Sequence, residues 1–74
     1  MSRLPRITGK QLLSALRKAG FVLVRIKGSH HFVRHADGRT TTVPVHTGDI
    51  IGPGLISDIL RDVEMSREEL AQLL

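Results

Sequence analysis

The chain has no cysteine, no tryptophan and no tyrosine, and its only phenyl rings are those of Phe21 and Phe32. Without thiols there is no disulfide framework and no thiolate metal site. With so few aromatic rings, base stacking across a sheet, the habit of single-strand readers, has little to work with. No apolar run approaches the ~20 residues of a membrane-spanning helix. The first residues, Met1-Ser2-Arg3-Leu4-Pro5-Arg6, lack the apolar centre of a secretory signal, so a cytoplasmic location is expected. Acid is scarce in the first half: residues 1–39 hold nine Lys or Arg against one acid, Asp37, whereas residues 40–74 hold two Arg against six acids. A basic surface gathered on one side is the electrostatic footprint of a nucleic-acid binder, although a solvated face on a small basic protein has the same composition.

What is present fits one domain over residues 1–74. An apolar content of 41% is too high for disorder. The length lies near the lower limit for a self-sufficient core, so burial against a partner or a second copy is a reasonable source of stability.

Thr8 with Gln11 three residues later reads as a capping box opening a helix, stapled by Ile7 and Leu12. Leu12, Leu13, Leu16 and Ala19 recur at helical spacing, and Gly20 is the expected stop. Phe21 to Ile26 reads as a strand, Gly28-Ser29 as a tight turn, and His30 to His35 as a second, antiparallel strand. Ala36-Asp37-Gly38 is a hairpin turn, and Arg39 to Val45 a third strand that Pro44 places at an edge. Pro53 opens a second helix striped by Ile56, Ile59, Leu60 and Val63. Ser66 with Glu69 caps a short terminal helix carrying Leu70, Leu73 and Leu74. The order α-β-β-β-α, with helices on one face of a three-stranded antiparallel sheet, is an α+β sandwich, and it is also the order of the double-stranded-RNA-binding domain.

Lys27-Gly28-Ser29-His30-His31 is the most informative stretch. Two adjacent histidines after a Lys-Gly-Ser turn are hard to explain as packing. Histidine is the side chain that takes and gives a proton near neutral pH, and here it sits among cations. That combination points to a phosphate-bearing partner, RNA first.

These residues, with Asp37-Gly38-Arg39, Val43-Pro44-Val45-His46 and the helical segment from Pro53-Gly54 to Leu74, resemble the HicA family of toxins from HicA–HicB toxin–antitoxin pairs. The Gly-Ser-His turn followed at fixed distance by Val-Pro-x-His is the specific part, and the resemblance covers about residues 8–74. It implies a double-stranded-RNA-binding-like fold. It further implies the toxin of a type II pair, a ribosome-independent and metal-independent endoribonuclease cutting messenger RNA with one histidine. A HicB antitoxin would cover that histidine. The histidine after Gly-Ser fills the role in the family, which is His30 here. Some members place theirs one residue later, which makes His31 the second choice.

The residues on their own allow the same chemistry. Metal-free cleavage moves a proton off the ribose 2′-hydroxyl and onto the leaving 5′-oxygen, and one well-placed acid or base supplies about 10²–10⁴-fold. Lys27 and Arg34 suit a phosphate, Gly28 lets backbone approach RNA, and Ser29 offers a hydrogen bond. Attack by a 2′-hydroxyl would also select RNA over DNA. Strand alternation sets His30, Phe32 and Arg34 on one face and His31, Val33 and His35 on the other, and Phe32 argues for burial of the first set. The third strand returns toward the His30 end, so His46 is a possible companion, or else a hydrogen-bonding residue that ends the strand. No cofactor and no metal are expected, since no zinc-binding spacing occurs among the four histidines. A non-catalytic RNA-binding module of the same fold is the main rival, and a subunit that only docks on an acidic protein is the third class.

Overall fold

The computed structural model describes residues 4–74; Met1-Ser2-Arg3, the start of the stretch read for a signal, lies outside them. The element order is α1 (Gly9–Lys18), β1 (Val22–Lys27), β2 (His30–Arg34), β3 (Thr40–Pro44), α2 (Pro53–Val63) and α3 (Arg67–Leu73). This is the expected α+β arrangement: an antiparallel sheet in the order β1-β2-β3, with helices, consistent with a double-stranded-RNA-binding-like fold.

Both capping boxes form. Thr8 Oγ1 accepts the Gln11 N–H at 3.2 Å while Gln11 Oε1 accepts the Thr8 N–H at 2.9 Å. Ser66 and Glu69 repeat the exchange at 3.0 Å each. Each box satisfies two N–H groups that a helix start leaves without intrahelical partners. Ile7 and Leu12 are both buried, as a staple requires. Helix α1 ends one residue before Ala19, its C-cap, and Gly20 follows at φ +100°, a conformation glycine adopts without strain.

The core unites Leu12, Leu16, Phe21, Val33, Val43, Ile56, Ile59, Val63 and Leu70, each under 2% exposed. Phe21 precedes β1 rather than belonging to it; its ring is held edge-on to His35 with centroids 5.1 Å apart, and the Arg39 guanidinium lies 5.2 Å over it. Strand β3 carries most of the helix packing: Thr41 Oγ1 donates to Asp62 of α2 at 2.9 Å, and α1 also lies against β3.

That asymmetry decides which face of β2 is buried. Val33 is 1% exposed, whereas Phe32 is only half-buried, so the helices cover the Val33 set. Phe32, expected to pull its own set inward, instead shields its ring under the Arg25 guanidinium, 5.5 Å from the centroid. Burial falls from β3 to β1 along one row of partners: Val43 is buried, His31 half-buried, and Ile26 55% exposed. A bulge between Leu23 and Arg25 adds one residue to β1 and restores the pairing of Ile26 with His31.

Candidate functional site

Gly28-Ser29 links β1 to β2 in two residues. Gly28 has φ +60°, and the positive value at the first turn position fits the II′ hairpin, which demands glycine there. The next row sets Lys27, His30 and Pro44 side by side. His30 and Lys27 are both exposed on the face away from the Val33 set. Arg34 shares that face but sits at the other end of β2, four residues or about 13 Å away. It is therefore not gathered with Lys27 and His30. His46 follows β3 by two residues at the turn end, where the Val45 N–H donates to the Ser29 carbonyl at 2.8 Å; the His46 carbonyl accepts from Asp49.

His31 has a different environment. It turns toward the helices at the rim of what they cover. With Val45 and four residues of α1 (Lys10, Leu13, Ser14 and Arg17) it lines a groove of about 420 Å³ that contains no acidic side chain. Its Nδ1 lies 3.1 Å from the Ser29 carbonyl. A carbonyl only accepts, so Nδ1 carries the proton and Nε2 holds the lone pair in the neutral ring. The Ser29 carbonyl is itself pinned by the Val45 N–H, so the Gly-Ser turn and the Pro-Val end of β3 together fix the His31 ring. A ring held at one nitrogen and available at the other is arranged for proton transfer.

Gly9 sets the distance between α1 and β3. A Cβ there would stand 2.0 Å from the Pro44 carbonyl oxygen and 3.0 Å from the Val45 Cα, so only glycine lets the helix start rest directly on the strand end. Gly9, Lys10, Ser14 and Arg17 are not singled out by a reading of the sequence. The available signal was the spacing of the last three, i, i+4 and i+7, which places them on one face of a helix.

Asp37-Gly38-Arg39 forms a clasp at the far end of the sheet. The Arg39 backbone N–H and guanidinium both donate to Asp37, at 3.1 and 2.8 Å, and Arg39 Nη1 donates to the Val63 carbonyl at the end of α2. The Arg39 backbone N–H, partly opposed by desolvation and assisted by the guanidinium, holds the Asp37 carboxyl below its usual range. This motif joins hairpin to helix and stands apart from His30, His31 and His46; His35 belongs to it, its Nδ1 accepting the Asp37 N–H at 3.1 Å.

A larger concavity, about 690 Å³, lies between the sheet and α2 and contains none of His30, His31 and His46. Arg25, Arg34, Asp58 and Asp62 all line it, so charges of both signs meet there, unlike the smaller groove beside His31. Among the described residues no three His, Asp or Glu side chains are grouped to hold a metal ion, and no helix is long and apolar enough to cross a membrane.

Compared with known proteins, the chain matches a family model described as the HicA toxin of bacterial toxin-antitoxin, over residues 9–65. No match to a curated protein was found.

Proposed function

Because the chain belongs to the HicA toxin family, the toxin half of a bacterial toxin–antitoxin system, we propose that it is an endoribonuclease that cuts messenger RNA in the cytoplasm with a single histidine. It needs neither metal nor cofactor, and a HicB-type antitoxin restrains it by covering that histidine. The observation that carries the reading is the placement of His31: half-buried, oriented through Nδ1, and set in a groove whose charged side chains are cations.

In the reaction the neutral ring accepts the 2′-hydroxyl proton at Nε2 as that oxygen attacks the adjacent phosphorus. The bond to the 5′-oxygen then breaks, and the leaving oxygen takes a proton from the imidazolium or from water. The neighbouring cations stabilise the charge that builds on the phosphoryl oxygens. Gly28, Ser29 and His46 extend the contact with RNA at the same end of the sheet, while Lys27 belongs to the open face beside His30.

The second reading keeps the assignment that the resemblance makes, with His30 as the acid or base. It is favoured by the row that sets Lys27 beside His30 on the open face, with Arg34 further along it. Separate His30→Ala and His31→Ala variants decide between them on a labelled RNA in EDTA. Loss of about 10² or more in rate with His31→Ala alone supports the groove. The same loss with His30→Ala alone supports the open face. If both purified variants cut like the parent, the histidine mechanism is wrong, and if the parent binds RNA without cutting it, the protein is a non-catalytic binding module.

A further inference from the structure

Lys10, Ser14 and Arg17 are all exposed, and they form one row along α1 beside His31. The two cations are separated by about 10 Å of helix axis. Among the described residues neither meets an acidic side chain. The other cations near the helix packing are already committed: Lys18 donates to the Leu73 carbonyl at the end of α3, and Arg39 to Asp37 and Val63. Two cations on one row, with the small donor Ser14 between them, offer neighbouring phosphates successive contacts along the helix. Leu13 and Val45 give the groove an apolar floor, which strengthens any charge contact made above it.

We propose that the α1 row is the RNA track: Lys10 and Arg17 hold the phosphates on either side of the bond presented to His31, and Ser14 donates to the strand between them. The proposal rests on the endoribonuclease reading and adds the path of the substrate. RNA lies across the helix side of the sheet, and the concavity bounded by Arg25, Arg34, Asp58 and Asp62 is left to other contacts. Gripping by phosphate also implies weak dependence on base identity, because phosphate contacts position a strand without reading it.

Binding is measured by fluorescence anisotropy with a labelled single-stranded RNA whose riboses are all 2′-O-methylated, so that no 2′-hydroxyl is available for cleavage. The parent is compared with Lys10→Ala/Arg17→Ala and Lys27→Ala/Arg34→Ala. Circular dichroism checks that both variants fold, as expected for exposed positions. The α1 double variant is expected to bind about 100-fold more weakly at low salt, roughly tenfold per charged contact. Its dependence of log affinity on log salt should flatten by about 1.4, the share of two phosphate contacts on a single strand. A Lys10→Ala/Arg17→Ala protein that keeps parental affinity while Lys27→Ala/Arg34→Ala loses it overturns the proposal and puts the RNA on the open face. A parent that does not bind this RNA overturns both the track and the nuclease reading. Binding through Lys10 and Arg17 by a protein that leaves ordinary RNA intact supports the track and defeats only the nuclease.

Discussion

Replacing Gly9 by alanine tests the contact on which the site is built. The added Cβ would lie 2.0 Å from the Pro44 carbonyl oxygen and 3.0 Å from the Pro44 carbonyl carbon and the Val45 Cα. All three are backbone atoms, so no side chain can swing aside. Comfortable contact begins near 3.5 Å, so α1 and the end of β3 must part by roughly 1.5 Å. Overpacking of this kind costs about 1–3 kcal/mol. The better helix propensity of alanine returns at most about 1 kcal/mol, less at the first helical position than in a helix interior. The net expectation is a loss of about 1–2 kcal/mol, which in a chain of this size lowers Tm by about 5–15 °C. The displaced strand end carries Val45, whose N–H pins the Ser29 carbonyl that orients His31. Cleavage assayed well below the new Tm should therefore fall by about tenfold or more, since a shift near 1 Å at a catalytic group costs up to about 10². Thermal unfolding followed by circular dichroism reads the first effect and a labelled-RNA assay the second. Gly54→Ala is the control: its Cβ meets nothing within 4 Å, and α2 should gain about 0.4–1 kcal/mol or stay unchanged. A Gly9→Ala protein as stable as the parent would refute the close approach of α1 to Pro44 and the chain of contacts drawn from it.

Two further perturbations address the clasp. Arg39→Ala removes a charged donor from the Val63 carbonyl and a cation from the face of Phe21, and should cost about 2–4 kcal/mol in urea unfolding while leaving the His31 groove intact; an unchanged midpoint would show that the clasp carries no stability. Asp37 has its folded-state carboxyl pKa held below the unfolded value, so it favours the folded state above the unfolded pKa of about 4, and that contribution is lost as pH falls through the folded value. The parent should therefore lose stability as pH falls below about 4, and Asp37→Asn should remove part of that slope; identical slopes in the two proteins would contradict the role given to the Arg39 N–H.

Local chemistry made much of this protein legible from its residues. Thr8-Gln11 and Ser66-Glu69 place two helix starts because a capping box is satisfied within four residues. Gly28 and Gly38 mark the hairpins because the positive φ they supply is a property of a single residue. The strand order follows from two short connections. In the same way the Gly-Ser-His-His stretch marks where to look for chemistry, and its alternation separates the two histidines onto opposite faces.

The choice between those faces was not in the pattern. His30, Phe32 and Arg34 mix one apolar residue with two polar ones, and so do His31, Val33 and His35, so alternation favours neither, and the larger Phe32 points to the set that stays exposed. The helices settle it by covering β3 more fully than β1, which buries Val43 and Val33 and leaves His31 at the rim. Gly9 is equally silent in one dimension: it reads as a neutral residue after a cap until β3 is brought against it. Lys10, Ser14 and Arg17 read only as one side of a basic helix. The sequence by itself determines the elements, their caps and turns, and the kind of chemistry the histidines offer, since each is set by groups close in the chain. Which histidine meets the α1 cations was decided by the tertiary structure alone, because it depends on contacts between α1, the Gly-Ser turn and the end of β3, which meet only once the sheet has closed.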